Sequence, residues 1–434
     1  MRPSRRGFLG GVAFAVAAPR VRAASDVDVV VVGAGAAGLA AARRLGEAGR
    51  SFAVLEARGR IGGRAFTDMT LGVPFDAGAQ YIHWAERNPW KRIADELGVP
   101  LTEDEWGDPP LVYVDGVRIS EAERAKRRGG YGSISAALSL GTAADRSFAE
   151  AVRNGPPELL DAAGGVTRFS LGEDPERVSV ADYQQLWSGD DYLVPSGYGA
   201  LVSRHGADIP VRLDTPVTGI RWNAGGADVE TPSGTLKAQA VIVTVPVGVL
   251  KAGGIRFSPE LPAPIQGALD GLGMGAYTKI ALRLDRARVG QLEATDFFEV
   301  LDGTKATNFE FWPFGRDLAI ALLAGDHGRH LCEAGEAAAV DFVTERLAVM
   351  IGGRIRGAVT GGRLAGWWTD PYARGSYSVA RPGQLSARTT LRQPVAERIW
   401  FAGEATAGGG AMTVGGATLE GERAAQESIR TLKD

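Results

Sequence analysis

Residues 27–38 read VDVVVVGAGAAG, a short apolar run followed directly by a glycine-rich turn. The run Val27–Val32 predicts a strand that is buried on both faces of a parallel sheet. A helical pattern then continues to about Ala48, and a second apolar run, Phe52–Leu55, predicts the next strand. The segment therefore predicts a βαβ unit of the kind that opens a Rossmann-type domain.

The glycine turn has the spacing of a dinucleotide-binding turn. Gly33 permits the tight turn, Gly35 lets the backbone approach a pyrophosphate, and Gly38 lets the helix pack closely on the strand. Glu56 follows about twenty residues later, at the end of the second strand, where a carboxylate can accept both ribose hydroxyls of an adenosine. An acid at this position disfavours NADP. A glycine-rich turn with a purely structural role is the alternative, but the complete motif favours a bound dinucleotide.

The predicted elements farther along the chain indicate two interwoven domains. We predict an α/β fold in which a Rossmann-type domain is interwoven with an α+β substrate-binding domain. The Rossmann-type domain comprises residues 25–83, 195–256 and 365–434, and the substrate-binding or cap domain comprises residues 84–194 and 257–364. The predicted elements are the helices Pro89–Leu97, Phe148–Arg153, Glu336–Ile351 and Thr413–Leu432 and the strands Ala240–Val245, Tyr277–Leu284, Leu318–Leu323 and Arg398–Ala402.

The composition is that of an ordinary globular protein, with 45% apolar and 23% charged residues. The formal net charge of −3 argues against nucleic acid as a partner, because phosphate neutralisation needs clustered Lys and Arg. The one cysteine, Cys332, excludes an internal disulfide and a multi-thiolate metal site. With only four histidines in the chain, no metal centre is predicted.

The first 24 residues predict an export signal. They carry Arg5-Arg6, continue with the apolar stretch Phe8–Ala18 and end with the small residues Ala23-Ala24. Positions 4–9, SRRGFL, match the twin-arginine pattern, and a chance arginine pair before an uncleaved anchor is the alternative. We therefore expect a periplasmic or secreted protein. No later run reaches the ~18 apolar residues of a membrane span, so none is expected in the mature protein.

Several further segments resemble the flavin-containing amine oxidase family. They occur in the family's order and extend over nearly all of the chain after the leader. They are EARGRIGGR (residues 56–64), DAGAQYIH (76–83), VTVPVGVLK (243–251), YTK (277–279), WWTDPYARGSY (367–377) and FAGE (401–404). The resemblance implies that the dinucleotide is FAD and that the Rossmann-type domain is an FAD-binding domain.

The resemblance also implies which residues bind FAD. Arg64 would bridge the pyrophosphate or the flavin, Glu404 would bind the ribityl chain or the phosphates, and Val217 would contact the adenine through backbone groups. The helix that begins near Thr413-Val414 would direct its N-terminal amides at the flavin N1–C2=O. The full implied set is Gly33, Gly35, Ala37, Gly38, Glu56, Ala57, Arg58, Gly63, Arg64, Gly78, Ala79, Gln80, Val217, Trp367, Gly403, Glu404, Thr413 and Val414.

Lys279 is the foremost catalytic candidate, because a lysine within the apolar strand pattern Tyr277–Leu284 is costly to bury. Periodicity alone leaves open a surface lysine on an edge strand. In the family that the chain resembles, the matching lysine holds a water against flavin N5 and assists proton handling or the reaction with O2. The resemblance makes Tyr377 one wall of an aromatic slot and places Trp367 at the flavin edge, with ordinary core packing as the alternative. The implied catalytic set is Lys279, Tyr377, Trp367, Thr413 and His83.

Three positions indicate a branch of the family. Ser376 stands where mitochondrial monoamine oxidases have the cysteine that is joined to FAD, so non-covalent FAD is expected. Thr413 replaces the second slot tyrosine of the monoamine branch, and His83 matches a histidine of many polyamine oxidases. The chain therefore looks nearer to polyamine oxidases and histone lysine demethylases than to monoamine oxidases.

The implied reaction takes a small primary or secondary amine, with polyamines favoured. Hydride transfer to flavin N5 gives an imine, water hydrolyses it to aldehyde and amine, and O2 reoxidises the flavin to give H2O2. A carotenoid or porphyrinogen desaturase, an L-amino-acid oxidase and a non-catalytic FAD-binding protein are the alternatives. Asp190, Asp191 and Trp312 are candidates for a cationic pocket, with surface or core roles as the alternative. The sequence predicts no oligomeric state.

Overall fold

The computed structural model describes residues 26–104, 109–139 and 144–432. The predicted export signal, residues 1–24, lies outside these ranges. Two large sheets organise the described chain, and helices pack against both of them. Within the described ranges, no helix combines the length and the apolar composition needed to cross a membrane.

The first sheet is built around the strand Val27–Val32, in which residues 29–31 are fully buried. Parallel neighbours, Phe52–Leu55 and Gly234–Val243, flank this strand. The strand order is Val211–Arg212, Phe52–Leu55, Val27–Val32, Gly234–Val243, Gly226–Thr231, Gly219–Asn223 and Arg256–Ser258, with Ile399–Phe401 also paired to Gly234–Val243. Burial between parallel neighbours accounts for the continuous apolar run.

The helices Ala36–Glu47 and Val414–Thr431 pack together against this sheet. Glycine at position 421 allows their close approach, because a Cβ on Gly421 would lie 2.0 Å from the carbonyl oxygen of Ala37. The N-terminal residues of both helices line the same cavity. The first and last helices of the fold therefore contribute to one site.

The second sheet contains the strand Thr278–Leu284 between two antiparallel neighbours, Leu318–Leu323 and Val359–Ala365. The strand order is Val359–Ala365, Thr278–Leu284, Leu318–Leu323, Lys305–Phe311, Asp296–Leu301, Leu111–Val114 and Val117–Arg118. The helix Glu336–Ile351 contributes apolar side chains to the core of this sheet. Thr278–Leu284 is thus an interior strand, and the edge-strand alternative for Lys279 is wrong.

The remaining elements of the described chain lie outside the two large sheets. The other helices are Pro89–Leu97, Glu121–Ser139, Phe148–Val152, Pro157–Leu171, Val180–Tyr183, Tyr198–His205, Val247–Lys251, Ala263–Gly271, Arg286–Val289, Gly325–Ala334, Ile355–Ala358 and Ala387–Leu391. The other strands are Thr67–Asp68, Phe75–Asp76, Tyr81–Ile82, Thr102–Glu103, Tyr192–Leu193, Leu272–Met274 and Ser378–Ala380. Turns of 3₁₀ helix cover Pro175–Arg177, Pro313–Gly315, Glu404–Thr406 and Gly408–Gly410.

The predicted α/β fold is confirmed, and most predicted elements differ from the observed ones by no more than one residue at either end. The strand predicted at Ala240–Val245 has the wrong bounds. It runs from Gly234 to Val243, because its first half forms a hairpin with Gly226–Thr231. The last helix begins at Val414 because Thr413 is its N-cap. The predicted domain boundaries stay a prediction.

Candidate active site

A cavity of about 1900 Å³ lies among residues from both sheets and their connecting segments. It is lined by every residue that was predicted to bind the cofactor or to act in catalysis, except Gly38. Those lining residues are Gly33, Gly35, Ala37, Glu56, Ala57, Arg58, Gly63, Arg64, Gly78, Ala79, Gln80, His83, Val217, Lys279, Trp367, Tyr377, Gly403, Glu404, Thr413 and Val414. The fold thus brings together residues that are far apart in the sequence.

The glycine turn forms one end of the cavity. Gly33 has a φ of +100°, which favours glycine, and a Cβ on Gly38 would lie 1.9 Å from the carbonyl oxygen of Gly33. Gly38 therefore serves the packing of the turn, while Gly33 and Gly35 face the cavity. The helix that follows has no side-chain cap at Gly35, so its first amides are available to an anion.

Glu56 lies buried beside the same turn. Its carboxylate accepts hydrogen bonds from the backbone N–H groups of Ala34, at 2.7 Å, and Arg58, at 2.9 Å. Each carboxylate oxygen can accept further bonds, so these contacts orient the group and leave it able to bind ribose hydroxyls. The uncapped helix, the glycine turn and this carboxylate together fit an adenine dinucleotide.

The two predicted arginines of this region are paired with carboxylates. Arg64 Nη1 donates to Glu404 Oε1 at 3.0 Å and to the carbonyl oxygen of Ser376 at 2.8 Å. Arg58 forms two bonds to Asp370, at 2.5 and 2.8 Å. Arg64 and Glu404 therefore reach the cavity as a neutralised pair.

Lys279 is a buried ammonium group at the cavity wall, with 5% of its surface exposed. Its Nζ donates to the carbonyl oxygen of Asp76 at 2.9 Å and to Gln80 Oε1 at 2.7 Å. Burial lowers the pKa of Lys279 to about 8, while the carboxylates of Asp76 and Glu310 act in the opposite direction. Gln80, predicted only as a cofactor contact, thus also holds the lysine.

Two tyrosines of the cavity lining, Tyr277 and Tyr377, lie next to each other. The ring centroids of Tyr277 and Tyr377 are 6.1 Å apart and their planes are inclined by 31°. Ser376 Oγ accepts a hydrogen bond from the backbone N–H of Tyr277 at 2.9 Å, which ties the two segments together. Burial raises the pKa of both tyrosines, so both are neutral phenols. Tyr277 lines the cavity and was not predicted as a site residue.

The other predicted catalytic residues have well-defined contacts. His83 Nδ1 lies 3.0 Å from Asp191 Oδ2. Trp367 Nε1 donates to the carbonyl oxygen of Ala77 at 2.8 Å. Thr413 Oγ1 accepts from the N–H of Gly416 and donates to the carbonyl oxygen of Gly410. The Thr413 hydroxyl therefore caps the last helix, and the roles proposed for these residues in catalysis stay predictions.

Acidic residues that the sequence reasoning missed line the cavity on the side of the second sheet. Glu310 and Asp296 are cross-strand partners, and Asp104 lies at the same cavity. Burial raises the pKa of all three carboxyl groups, and the charge of Asp296 adds to the rise at Glu310. In the strand Lys305–Phe311, Glu310 alternates with the apolar residues Phe309 and Phe311, and this pattern is typical of a side chain on the polar face of a sheet. The sequence pattern therefore did not identify Glu310.

Of the three candidates for a cationic pocket, two line the cavity and one does not. Asp191 and Trp312 line the cavity. Asp190 is exposed and absent from the residues that form its wall in the described part of the chain, so the alternative of a surface role is confirmed for it. Its neighbour Asp191 is turned inward by a bond from the N–H of Trp84 and by the contact with His83.

The chain is similar to proteins of known class. The family model described as flavin-containing amine oxidoreductase matches residues 36–156 and 183–429. Probable polyamine oxidase 4 of Arabidopsis thaliana is 32% identical, over 93% of this chain and 87% of that protein. Lysine-specific histone demethylase 1 homolog 2 of the same plant is 28% identical, over 93% of this chain and 59% of that protein. A solved putrescine oxidase bound to putrescine has a TM-score of 0.76 at 21% identity, over 93% of this chain and 99% of that chain, and shows a shared fold.

Proposed function

The chain belongs to the flavin-containing amine oxidoreductase family, and on that premise we propose that it oxidises a diamine or polyamine. Family membership confirms the predicted enzyme class and the predicted FAD cofactor. The observation that carries the proposed substrate is the half-buried pair Glu310 and Asp296, which faces the same cavity as Lys279. The polyamine oxidases among the relatives support it.

FAD fits the residues at the other end of the cavity. The glycine turn and the first helix would hold the pyrophosphate, and Glu56 would hold the adenosine ribose. When bound, FAD supplies the acceptor for the hydride that leaves the α-carbon of the amine. We propose a non-covalent cofactor, because the Ser376 side chain is a hydroxyl that cannot form a thioether and Cys332 is buried elsewhere.

Lys279 would position a water or the reacting amine. An ammonium group has three N–H donors, and within the described chain two are directed at Asp76 and Gln80. The third is left for a group in the cavity. With its pKa lowered to about 8, Lys279 can exchange a proton with such a group near neutral pH. The side chain can thus relay the proton that a protonated amine must lose before it donates a hydride.

The acidic pair would bind the nitrogen that does not react. A second ammonium group placed near Glu310 and Asp296 would meet two carboxyl groups that are partly shielded from water, where attraction between opposite charges is stronger than in bulk solvent. An α-carboxylate at the same place would be repelled by both acids. This electrostatic contrast supports a substrate with two cationic nitrogens and disfavours the L-amino-acid oxidase alternative.

The test is anaerobic bleaching of the purified yellow protein by a panel of compounds. Diamines and polyamines should reduce the flavin at concentrations well below those needed for monoamines of equal length, and amino acids should fail. Admission of air should then restore the yellow colour and release H2O2 in proportion to amine, since we propose O2 as the acceptor. If no amine bleached the flavin, the proposal would be wrong. If monoamines bleached it at the same concentrations as diamines, the proposed diamine specificity would be wrong.

We also propose export through the twin-arginine route, which the sequence pattern of residues 1–24 supports. A variant with Arg5→Lys and Arg6→Lys should accumulate as uncleaved protein inside the cell. The unaltered chain should be recovered outside the inner membrane, lacking the leader. Equal distribution of both proteins would contradict the proposal.

A further inference from the structure

Arg388 is buried beneath the cavity wall and forms contacts in two directions. It lies in the helix Ala387–Leu391, is 2% exposed and is absent from the cavity lining. Its Nε and Nη2 donate to the Asp182 carboxylate at 2.8 and 2.9 Å, and its Nη1 donates to Ser378 Oγ at 2.7 Å. The carbonyl oxygens of Ser378 and Ala405 accept the bonds that remain. A guanidinium with this many partners has one fixed orientation.

Toward the cofactor, Ser378 connects Arg388 to Glu404. Ser378 Oγ donates to Glu404 Oε2 at 2.7 Å, and its backbone N–H donates to Glu404 Oε1 at 3.1 Å. Glu404 also accepts from Arg64, and both of these residues line the cavity. Charges therefore alternate along the series Arg64, Glu404, Arg388 and Asp182. Each charge in this series has an opposite charge beside it. An isolated charge in the same interior would have no such compensation.

Toward the cap, Asp182 anchors a segment that forms a different part of the cavity wall. We define this cap segment as residues 180–189, which begin with the short helix Val180–Tyr183. The members that line the cavity are Tyr183, Gln184, Leu186, Trp187, Ser188 and Gly189. The N–H of Trp187 donates to the carbonyl oxygen of Gly409 at 2.7 Å, close to the Thr413 turn. Arg388 is thus shared between the cofactor cradle and the cap segment.

We propose that Arg388 is a positioning residue that couples FAD binding to the placement of the cap segment. It acts through Glu404 on the cofactor side and through Asp182 on the substrate side. Because Asp182 fixes the orientation of Arg388, a change at Asp182 reaches Glu404 and alters FAD affinity, although Asp182 lies outside the cavity lining. The proposal rests on FAD as the cofactor and not on the identity of the amine, so a different amine substrate would leave it standing.

The experiment compares Arg388→Met and Asp182→Asn with the unaltered holoenzyme. The FAD Kd is measured from the fluorescence of released flavin, and the amine Kd and limiting rate from anaerobic reduction. Loss of one partner from a buried charge pair weakens binding that depends on it, so both variants should raise the FAD Kd about tenfold or more. They should also raise the amine Kd. The limiting rate should change less, because Lys279 and Tyr377 are untouched.

Arg346→Met is the matched control, since Arg346 pairs with the buried Glu299 and neither residue lines the cavity. It should lower thermal stability and leave both Kd values unchanged. The proposal is overturned if Arg388→Met and Asp182→Asn behave like this control, or if Asp182→Asn raises the amine Kd alone. Should Arg388→Met not fold, Ser378→Ala removes only the hydroxyl between Arg388 and Glu404. An FAD Kd within twofold of the original in that variant overturns the proposal equally.

Discussion

The two ends of the cavity are built from different kinds of structure. At the cofactor end, one continuous stretch, Val27–Arg64, supplies the turn, the helix N-terminus and Glu56. At the acidic end, Lys279 comes from one strand of the second sheet, whereas Glu310 and Asp296 come from two others. One end depends on local backbone geometry, and the other depends on how strands pair.

This difference separates cofactor binding from substrate selection. Backbone amides and a glycine turn recognise the phosphates and ribose that dinucleotides share. The backbone at the cofactor end must therefore keep a single conformation. Charged side chains on paired strands can be exchanged without disturbing the backbone. Changes at the cofactor end should therefore abolish the holoenzyme, and changes at the acidic end should alter rate, selectivity and pH dependence in a protein that still binds FAD.

The largest effect is expected from Gly38→Ala. Its Cβ would lie 1.9 Å from a backbone oxygen of the turn, which cannot shift without distorting the phosphate site. We expect colourless protein after purification and an FAD Kd raised more than about a hundredfold. Gly129→Ala is the control, because a Cβ there meets nothing within 4 Å and the residue lies in a helix. A yellow Gly38→Ala protein with normal FAD affinity would contradict the local-geometry interpretation.

Lys279→Met should have the second-largest effect. It keeps the length of the side chain and removes the proton-bearing nitrogen, so flavin reduction or reoxidation should slow by about a hundredfold. FAD affinity should be unchanged, as measured by fluorescence. Lys251→Met is the control, because Lys251 is an exposed lysine that donates to the carbonyl oxygen of Leu272 and does not line the cavity. Unchanged rates in stopped-flow experiments would remove the catalytic role of Lys279.

Glu310→Gln should affect substrate choice. The change removes one charge from the acidic pair and should raise the KM for a diamine by about thirtyfold, which corresponds to ~2 kcal/mol. The KM for a monoamine of equal length should hardly change. Glu345→Gln, at an exposed position paired with Arg356, should leave both values as they are. An equal rise in the KM of both substrates would show that Glu310 acts through folding or through the overall charge of the site, and not by binding the second nitrogen.

The smallest effect is expected from pH. The pKa of Lys279 is lowered from 10.5 to about 8, so the ammonium form prevails below pH 8 and disappears above it. If the positive charge assists the reduction of O2, the reoxidation rate should fall about tenfold between pH 7 and pH 9. The same rate in Lys279→Met should show no transition in this range. A transition that persists in the variant would have to come from another group.

The sequence predicted the cofactor end almost completely. Gly33, Gly35, Gly38 and Glu56 stand in a continuous motif whose spacing already implies its geometry. It also identified Lys279, because the apolar strand pattern around this charge coincides with a motif of the family that the chain resembles. It missed Glu310, because the alternation with Phe309 and Phe311 is typical of a side chain on the solvent face of a sheet. Only the structure shows that this face of the strand lines the cavity.

By itself the sequence thus determined the βαβ unit, the dinucleotide turn and the family, since each depends on residues whose order along the chain carries the constraint. Only the tertiary structure decided that Gln80 and Asp76 hold Lys279, that Asp296 faces Glu310, and that Arg388 joins Glu404 to Asp182. Long stretches of chain separate Lys279 from Gln80 and Arg388 from Asp182, whereas Asp296 and Glu310 meet through the register of neighbouring strands. Their contact follows from strand register and helix packing, which local sequence patterns do not specify.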